Sequence, residues 1–324
     1  MQQSDLRYRN PIDERWNKRK SQSSLLAQSF QRLGNFKKAE RVSYCGSFLQ
    51  FNQCPNGHYK KLNWANFCRD RLCPMCAWRR SLRYSAYIHK IAHEVNIRQP
   101  VRWLFLTLTV QNVEEKDLST TLDHLFRSWQ RFSQRKAFRQ VVKGWFRGLE
   151  VSRNKDNGTY HPHFHTLLAV DSTYFSEGKY LTNSAWSALW KQSLRVEYTP
   201  VVDVRIIKPN KRNRKKVNEL IESEEAMISA IVETAKYPTK PGTYLFPWDM
   251  DTTDKVVLAL DRALKNRRLL AFGGLLKEVW KEVKGEENTD VIDETKECNC
   301  PTCGSDLLEQ LYRWNFGLNS YIHL

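Results

Sequence analysis

Hydrophobic and polar positions alternate most clearly in Trp103-Leu104-Phe105-Leu106-Thr107-Leu108-Thr109-Val110, which predicts a strand with two different faces. A second strand is predicted over residues 145–152, and a third over 163–170, where Leu167-Leu168-Ala169-Val170 continues an apolar run. Between the last two, Asn154-Lys155-Asp156-Asn157-Gly158 is rich in turn formers and predicts a hairpin. A fourth strand is predicted over 201–207. Helical spacing is seen in Leu118, Leu122, Leu125, Trp129 and Phe132, and helices are predicted over 81–95, 118–137, 183–192 and 219–236. In the last of these, Ile221, Ile228, Ile231, Val232 and Ala235 form the stripe expected to be buried, and Pro238 and Pro241 end it. One or two further helices are predicted over 255–284.

The order of these elements predicts an α+β fold: a central antiparallel sheet flanked by helices, a small Cys-rich zinc module and a helical C-terminal region. The expected division is a basic flexible arm over 1–44, the Cys-rich module and a helix over 45–98, a core over 99–250, a helical extension over 251–285, and an acidic linker with a Cys-containing tail over 286–324. The acidic character rests on residues 286–297, with six acids and one lysine.

Composition narrows the function. Of 324 residues, 52 are Lys or Arg and 35 are Asp or Glu, a net charge of +17 that calls for a polyanionic partner, above all nucleic acid. A hydrophobic content of 41% supports a true core. No apolar run approaches the roughly 20 residues needed to span a bilayer, and the polar start is unlike a signal peptide. A cytoplasmic protein is expected, with no membrane partner and with reduced thiols that act as metal ligands rather than disulfides.

Candidate chemistry follows from strand and helix periodicity. Residues two apart on a strand share a face, so His163 and His165 aim two imidazoles at one point while Phe164 enters the opposite layer. A divalent ion held there needs a third ligand, and Glu150 is favoured over His161 because the hairpin returns it to the histidines and a carboxylate suits Mg²⁺ or Mn²⁺. Residues four apart on a helix are neighbours, so Glu233 stands beside Tyr237. A metal-binding strand together with a Tyr–Glu pair is suited to phosphoryl transfer from DNA to tyrosine, with Tyr237 as nucleophile and Glu233 as general base. Lys236 and Lys240 are placed to neutralise phosphate. The run 205–216, with seven basic residues and no acid, offers Arg212, Arg214 and Lys215 as phosphate contacts, against the reading of an ordinary solvated charge run.

Cys54, Cys68, Cys73 and Cys76 have spacing suited to a structural Zn²⁺ site, with Cys45 and His58 as rival ligands. Cys298-Asn299-Cys300-Pro301-Thr302-Cys303-Gly304 looks like half a zinc ribbon without an obvious second half.

Three segments in order, Phe105-Leu106-Thr107-Leu108-Thr109-Val110, His163-Phe164-His165 and Glu233-Thr234-Ala235-Lys236-Tyr237, resemble the motifs of plasmid rolling-circle replication initiators of the HUH endonuclease class. Among these the chain is most similar to the single-tyrosine Rep proteins of small Gram-positive plasmids. The stretches 68–81 and 272–278 also match, and the resemblance spans about residues 36–284. It implies a sheet with the histidine strand in its middle. It further implies nicking of origin DNA, single-stranded or in a hairpin, through a 5′-phosphotyrosine, a free 3′ hydroxyl as primer, Glu233-assisted termination, and recruitment of a host helicase and polymerase. The competing readings are a single-tyrosine transposase of the same chemistry and a zinc-dependent DNA-binding regulator without cleavage activity.

Overall fold

The computed structural model describes residues 14–176, 178–207, 227, 229–231, 233–235, 239–284 and 298–324. The chain divides into two compact units, neither continuous in sequence: Met1–Arg83 with Tyr244–Leu258 and Glu287–Leu324, and Tyr84–Thr243 with Ala259–Glu286. The linear segments expected from sequence do not coincide with these units.

In the first unit, helices α1 (Glu14–Arg32) and α2 (Phe36–Ser43) precede the hairpin β1 (Phe48–Gln53) and β2 (Lys60–Ala65). The flexible arm expected over 1–44 is therefore corrected from Glu14 onward. Amphipathic character over residues 24–33 already hints at helix within this arm; Trp16, Leu26, Ala27 and Phe30 are buried, and Trp16 packs edge-on against Phe51 and Trp78. The Cys-containing tail also folds. Strands β8 (Leu308–Asn315) and β9 (Ser320–His323) complete an antiparallel sheet of order β2-β1-β8-β9, with Tyr312, Trp314 and Tyr321 buried. The described C-terminus is thus a β-hairpin, and the helical extension expected over 251–285 is present as helices Met250–Leu264 and Leu275–Lys284.

The second unit is built on β3 (Val101–Thr109), β4 (Val142–Arg153), β5 (Tyr160–Asp171), β6 (Val202–Ile206) and β7 (Leu270–Gly274). Their order is β6-β3-β5-β4-β7, all pairs antiparallel, so the histidine strand β5 lies in the middle as the resemblance implied. Strand β7 falls inside the stretch expected to be helical. Its five residues, ending in two glycines, are too short to display a period, and pairing with β4 defines them.

Each face of this sheet has its own helices. Helix α4 (Leu118–Gln134), α5 (Lys136–Val141) and α6 (Asn183–Leu194) cover one face, where Phe132 packs against Phe138, Trp186 and Trp190, and Trp129 against Trp145 and Phe164. On the other, Phe146, Leu167 and Ala169 form a core with Ile88, Ile91 and Val95 of α3 (Pro74–Arg98), with Ile231 and Ala235, and with Leu276 and Val279 of the last helix, Leu275–Lys284. Among the stripe predicted for 219–236, Ile231 and Ala235 are buried, whereas Ile221, Ile228 and Val232 lie outside the described residues. A further helix, α7, spans Met250–Leu264, and Leu275–Lys284 is α8. Among the described residues no helix is long and apolar enough to cross a membrane.

Candidate active site

Strand alternation puts His161, His163, His165, Leu167 and Ala169 on one face of β5. The apolar end seals the core described above, and the histidine end is left for chemistry. Phe164, facing the other way, is fully buried against Phe126 and Trp129. The hairpin register sets Glu150 of β4 directly opposite His163. Glu150, His163 and His165 thus converge, each offering one ligand atom within 4.8 Å of the others.

The geometry suits a cation. His163 Nε2 lies 3.2 Å from His165 Nε2, and Glu150 Oε2 lies 3.2 Å from His165 Nε2 and 3.8 Å from His163 Nε2. Metal–ligand bonds of about 2.1 Å place neighbouring donors roughly 3.0–3.4 Å apart, close to these separations. The histidines are oriented from behind. His163 Nδ1 is 3.1 Å from the His161 carbonyl, which can only accept, so Nδ1 carries the proton and Nε2 presents its lone pair. His165 Nδ1 is 3.2 Å from the Thr107 hydroxyl, which can serve either tautomer, and its ring stacks on Phe105 with centroids 5.4 Å apart. Two residues of the first sequence motif therefore position a histidine of the second. His161, the rival third ligand, bonds instead to Asn112 Oδ1 at 2.7 Å.

Electrostatics favour the ligand forms. Burial pushes His163 down to about 4, helped by the neighbouring His165 charge, so it is neutral near pH 7. Burial alone would push the Glu150 carboxyl up, but hydrogen bonds from His165 and Lys240 and the charges of His163 and Lys240 overcome it and hold the group at about 2. Lys240 Nζ meets Glu150 Oε1 at 2.9 Å, leaving Oε2 toward the histidines. Lys240, expected to contact phosphate, is thus engaged with the third ligand, and that ion pair raises its ammonium above its ordinary value.

Glu233 reaches the same place, with Oε1 3.7 Å from His165 Nε2. Its segment approaches β4 closely because Gly148 has no side chain: a Cβ there would stand 2.3 Å from the Thr234 carbonyl oxygen. Sequence reasoning missed Gly148, although a glycine inside a predicted strand is itself a signal of close backbone approach. Tyr237, Lys236, Arg212, Arg214 and Lys215 lie outside the described residues.

The cysteines regroup. Cys45, Cys68, Cys73 and Cys76 form one buried cluster, with sulfurs 3.5 Å apart for Cys45–Cys76 and Cys45–Cys73 and 3.7 Å for Cys68–Cys76. Zn–S bonds of about 2.3 Å place tetrahedral sulfurs roughly 3.8 Å apart, so this donor set fits zinc. The fourth ligand expected from spacing, Cys54, is corrected to Cys45, which was a rival. The short stretch from Cys45 through α3 winds one knot of thiols, while the β1–β2 hairpin carries Cys54 away to within 3.6 Å of Cys303. A further missed residue is Lys20, fully buried on α1, whose ammonium donates to the carbonyls of Ser43 and Cys45 beside the thiols. Burial pushes it down to about 8 against the opposing pull of the Cys45, Cys73 and Cys68 sulfurs.

A family model described as Replication protein matches residues 59–322 of this chain. The chain belongs to this replication-protein family. The matched span contains Glu150, His163, His165 and Glu233, and it begins after Cys45 and Cys54. The chain is similar to several replication proteins over most of their length. It is 37% identical over 323 residues to Protein rep of Bacillus amyloliquefaciens, covering 95% of this chain and 93% of the relative. It is 39% identical over 287 residues to Protein rep of Streptococcus pneumoniae, covering 86% and 83%. A Protein rep of a Bacillus species is 40% identical over 254 residues, covering 76% and 81%. No solved structure matches significantly.

Proposed function

We propose that this replication protein initiates rolling-circle replication of a plasmid by nicking one strand of origin DNA and retaining its 5′ end on Tyr237. The observation that carries the reading is the meeting of Glu150, His163, His165 and Glu233 at one end of the central strand. Tyr237 follows Glu233 by four residues, so the nucleophile belongs to the segment that already reaches the histidines.

In the nicking step the Tyr237 oxygen attacks the scissile phosphorus. The new Tyr–O–P bond replaces the P–O3′ bond, the phenol loses its proton and the departing 3′ oxygen gains one. The exchange of one phosphoester for another keeps the bond energy for later rejoining. A Mg²⁺ or Mn²⁺ ion on Glu150, His163 and His165 would polarise the phosphate and offset its developing charge. The neighbours serve that end: Thr107 and the His161 carbonyl orient the imidazoles, and Lys240 fixes the Glu150 carboxylate. After a round of synthesis by a host polymerase behind a host helicase, Glu233 takes a proton from the second attacking hydroxyl or water and ends the cycle.

A 3′-labelled single-stranded origin oligonucleotide incubated with Mn²⁺ and run on a denaturing protein gel tests this reading. The wild type should carry label into the protein band and Tyr237→Phe should not; an adduct surviving in Tyr237→Phe removes the nucleophile assignment. Glu233→Ala should still form the adduct yet accumulate multimeric product, and normal monomeric product would reject its terminating role.

A further inference from the structure

We propose that Cys54, His58, Cys300 and Cys303 form a second zinc site, separate from the four-cysteine cluster, that clasps the C-terminal hairpin to the N-terminal one. Their ligand atoms all lie within 4.8 Å of one another. Cys54 Sγ is 3.6 Å from Cys303 Sγ and 3.9 Å from His58 Nδ1, near the roughly 3.6–3.8 Å separations of sulfur and nitrogen around a tetrahedral zinc. The half ribbon at Cys300 therefore has its other half, 249 residues away from Cys303 at Cys54.

The two loops are built alike. One reads Cys54-Pro55-Asn56-Gly57-His58 and the other Cys300-Pro301-Thr302-Cys303-Gly304. In the first, Cys54 N–H donates to the Tyr59 carbonyl at 2.8 Å and Gly57 N–H to the Cys54 carbonyl at 2.9 Å. In the second, Cys300 N–H donates to the Ser305 carbonyl at 2.8 Å and Gly304 N–H to the Cys300 carbonyl at 2.8 Å. Gly57 and Gly304 have φ of +76° and +71°, and nothing lies within 4 Å of a Cβ added at either, so it is backbone conformation that calls for glycine there. Backbone N–H groups of Asn56 and His58 point at the Cys54 sulfur, and that of Ser305 at the Cys303 sulfur. Such donors stabilise thiolates and orient them for a metal.

Topology places the loops together. The first joins β1 to β2 and the second leads into β8, and the last residue of β1, Gln53, pairs with the first of β8, Leu308. Cys54 and Cys300 are buried while His58 and Cys303 lie at the rim. A disulfide between Cys54 and Cys303 would leave a third thiol and an imidazole aimed at the same point; one soft, tetrahedral ion uses all four. Ion binding would also offset the entropy of closing a loop of this length onto a small sheet.

Zinc content of the full chain, purified under a non-chelating reductant and dialysed, tests the proposal. The expected content is about two ions per chain, falling to about one in Cys54→Ser or Cys303→Ser and staying at about two in Cys298→Ser, whose thiol is outside the group. In Cys303→Ser, amides of 308–323 should exchange hydrogen faster while those of β4 and β5 keep wild-type rates, separating loss of the clasp from unfolding. Co²⁺-loaded Cys303→Ser should retain the spectrum of an all-thiolate tetrahedral site. A wild-type chain with one zinc, a Cys303→Ser chain with two, or a Cys54–Cys303 disulfide in freshly purified protein would overturn the proposal.

Discussion

His163 is held neutral by the environment that makes it useful. An imidazole in the unfolded chain protonates near 6.5, while His163 in the fold resists until about 4. Between those values the unfolded chain binds more protons than the folded one, so stability falls as pH drops from 6.5 toward 4 and is fully present above 6.5. Glu150 acts in the same direction at lower pH: its contribution is present above the ordinary 4.5 and is lost as pH falls toward about 2. Urea midpoints measured from pH 7 to 4.5 without added Mg²⁺ or Mn²⁺ should therefore decline more steeply in the wild type than in His163→Gln. Equal slopes would mean that burial of His163 leaves its titration unchanged. On the other face, Arg147 shows a different way to bury a charge. Its guanidinium sits over the rings of Phe164 and Phe126, 4.3 Å and 4.6 Å from their centroids, and donates to the Arg268 carbonyl at 3.0 Å.

At the scale of elements, what matters is how the segment carrying Glu233 meets β4. Gly148 pairs with His165 on one side and Leu270 on the other, so its strand position is fixed by two ladders. The carbonyl it would strike is backbone and cannot swing aside as a side-chain tip can. Gly148→Ala should push Thr234 off the sheet, take Glu233 with it, and lower the rate of the proposed nicking about 100-fold, as expected for a misplacement near 1 Å. Origin affinity should hold, and a variant nicking at the wild-type rate would show that the segment accommodates the methyl group. The sequence makes part of this arrangement readable. Strands β3 and β5 announce themselves by alternation, the 154–158 turn brings Glu150 to His163, and a two-residue period aims His163 and His165 together. The approach at Gly148 and the Thr107 support for His165 depend on pairing between distant strands, which no local period encodes. Cys54 illustrates the limit: cysteine spacing suggests one quartet, whereas sheet pairing between β1 and β8 delivers Cys54 to Cys300 and Cys303 and leaves Cys45 for the other three. Helix α1 is legible only in part, as amphipathic character over residues 24–33, because Lys20, Ser23 and Ser29 interrupt its buried face among Trp16, Leu26, Ala27 and Phe30.

For the whole molecule, charge governs the encounter with DNA. A surplus of 17 positive charges favours any polyanion, so origin recognition has to work on top of a strong nonspecific attraction. Each phosphate neutralised on a single strand releases bound counterions and adds about 0.7 to the steepness of log affinity against log salt. The basic run 205–216 is the densest source of such contacts in the sequence. If Arg212, Arg214 and Lys215 each meet one phosphate, replacing all three with Gln should reduce the slope by roughly 2 and weaken binding to origin and unrelated oligonucleotides alike. The histidine strand is untouched by these changes, so the proposed nicking at saturating protein should persist. Fluorescence anisotropy across a salt series measures the slope directly. An unchanged slope would identify the run as a solvated charge cluster and move phosphate contact to other basic residues of the surface.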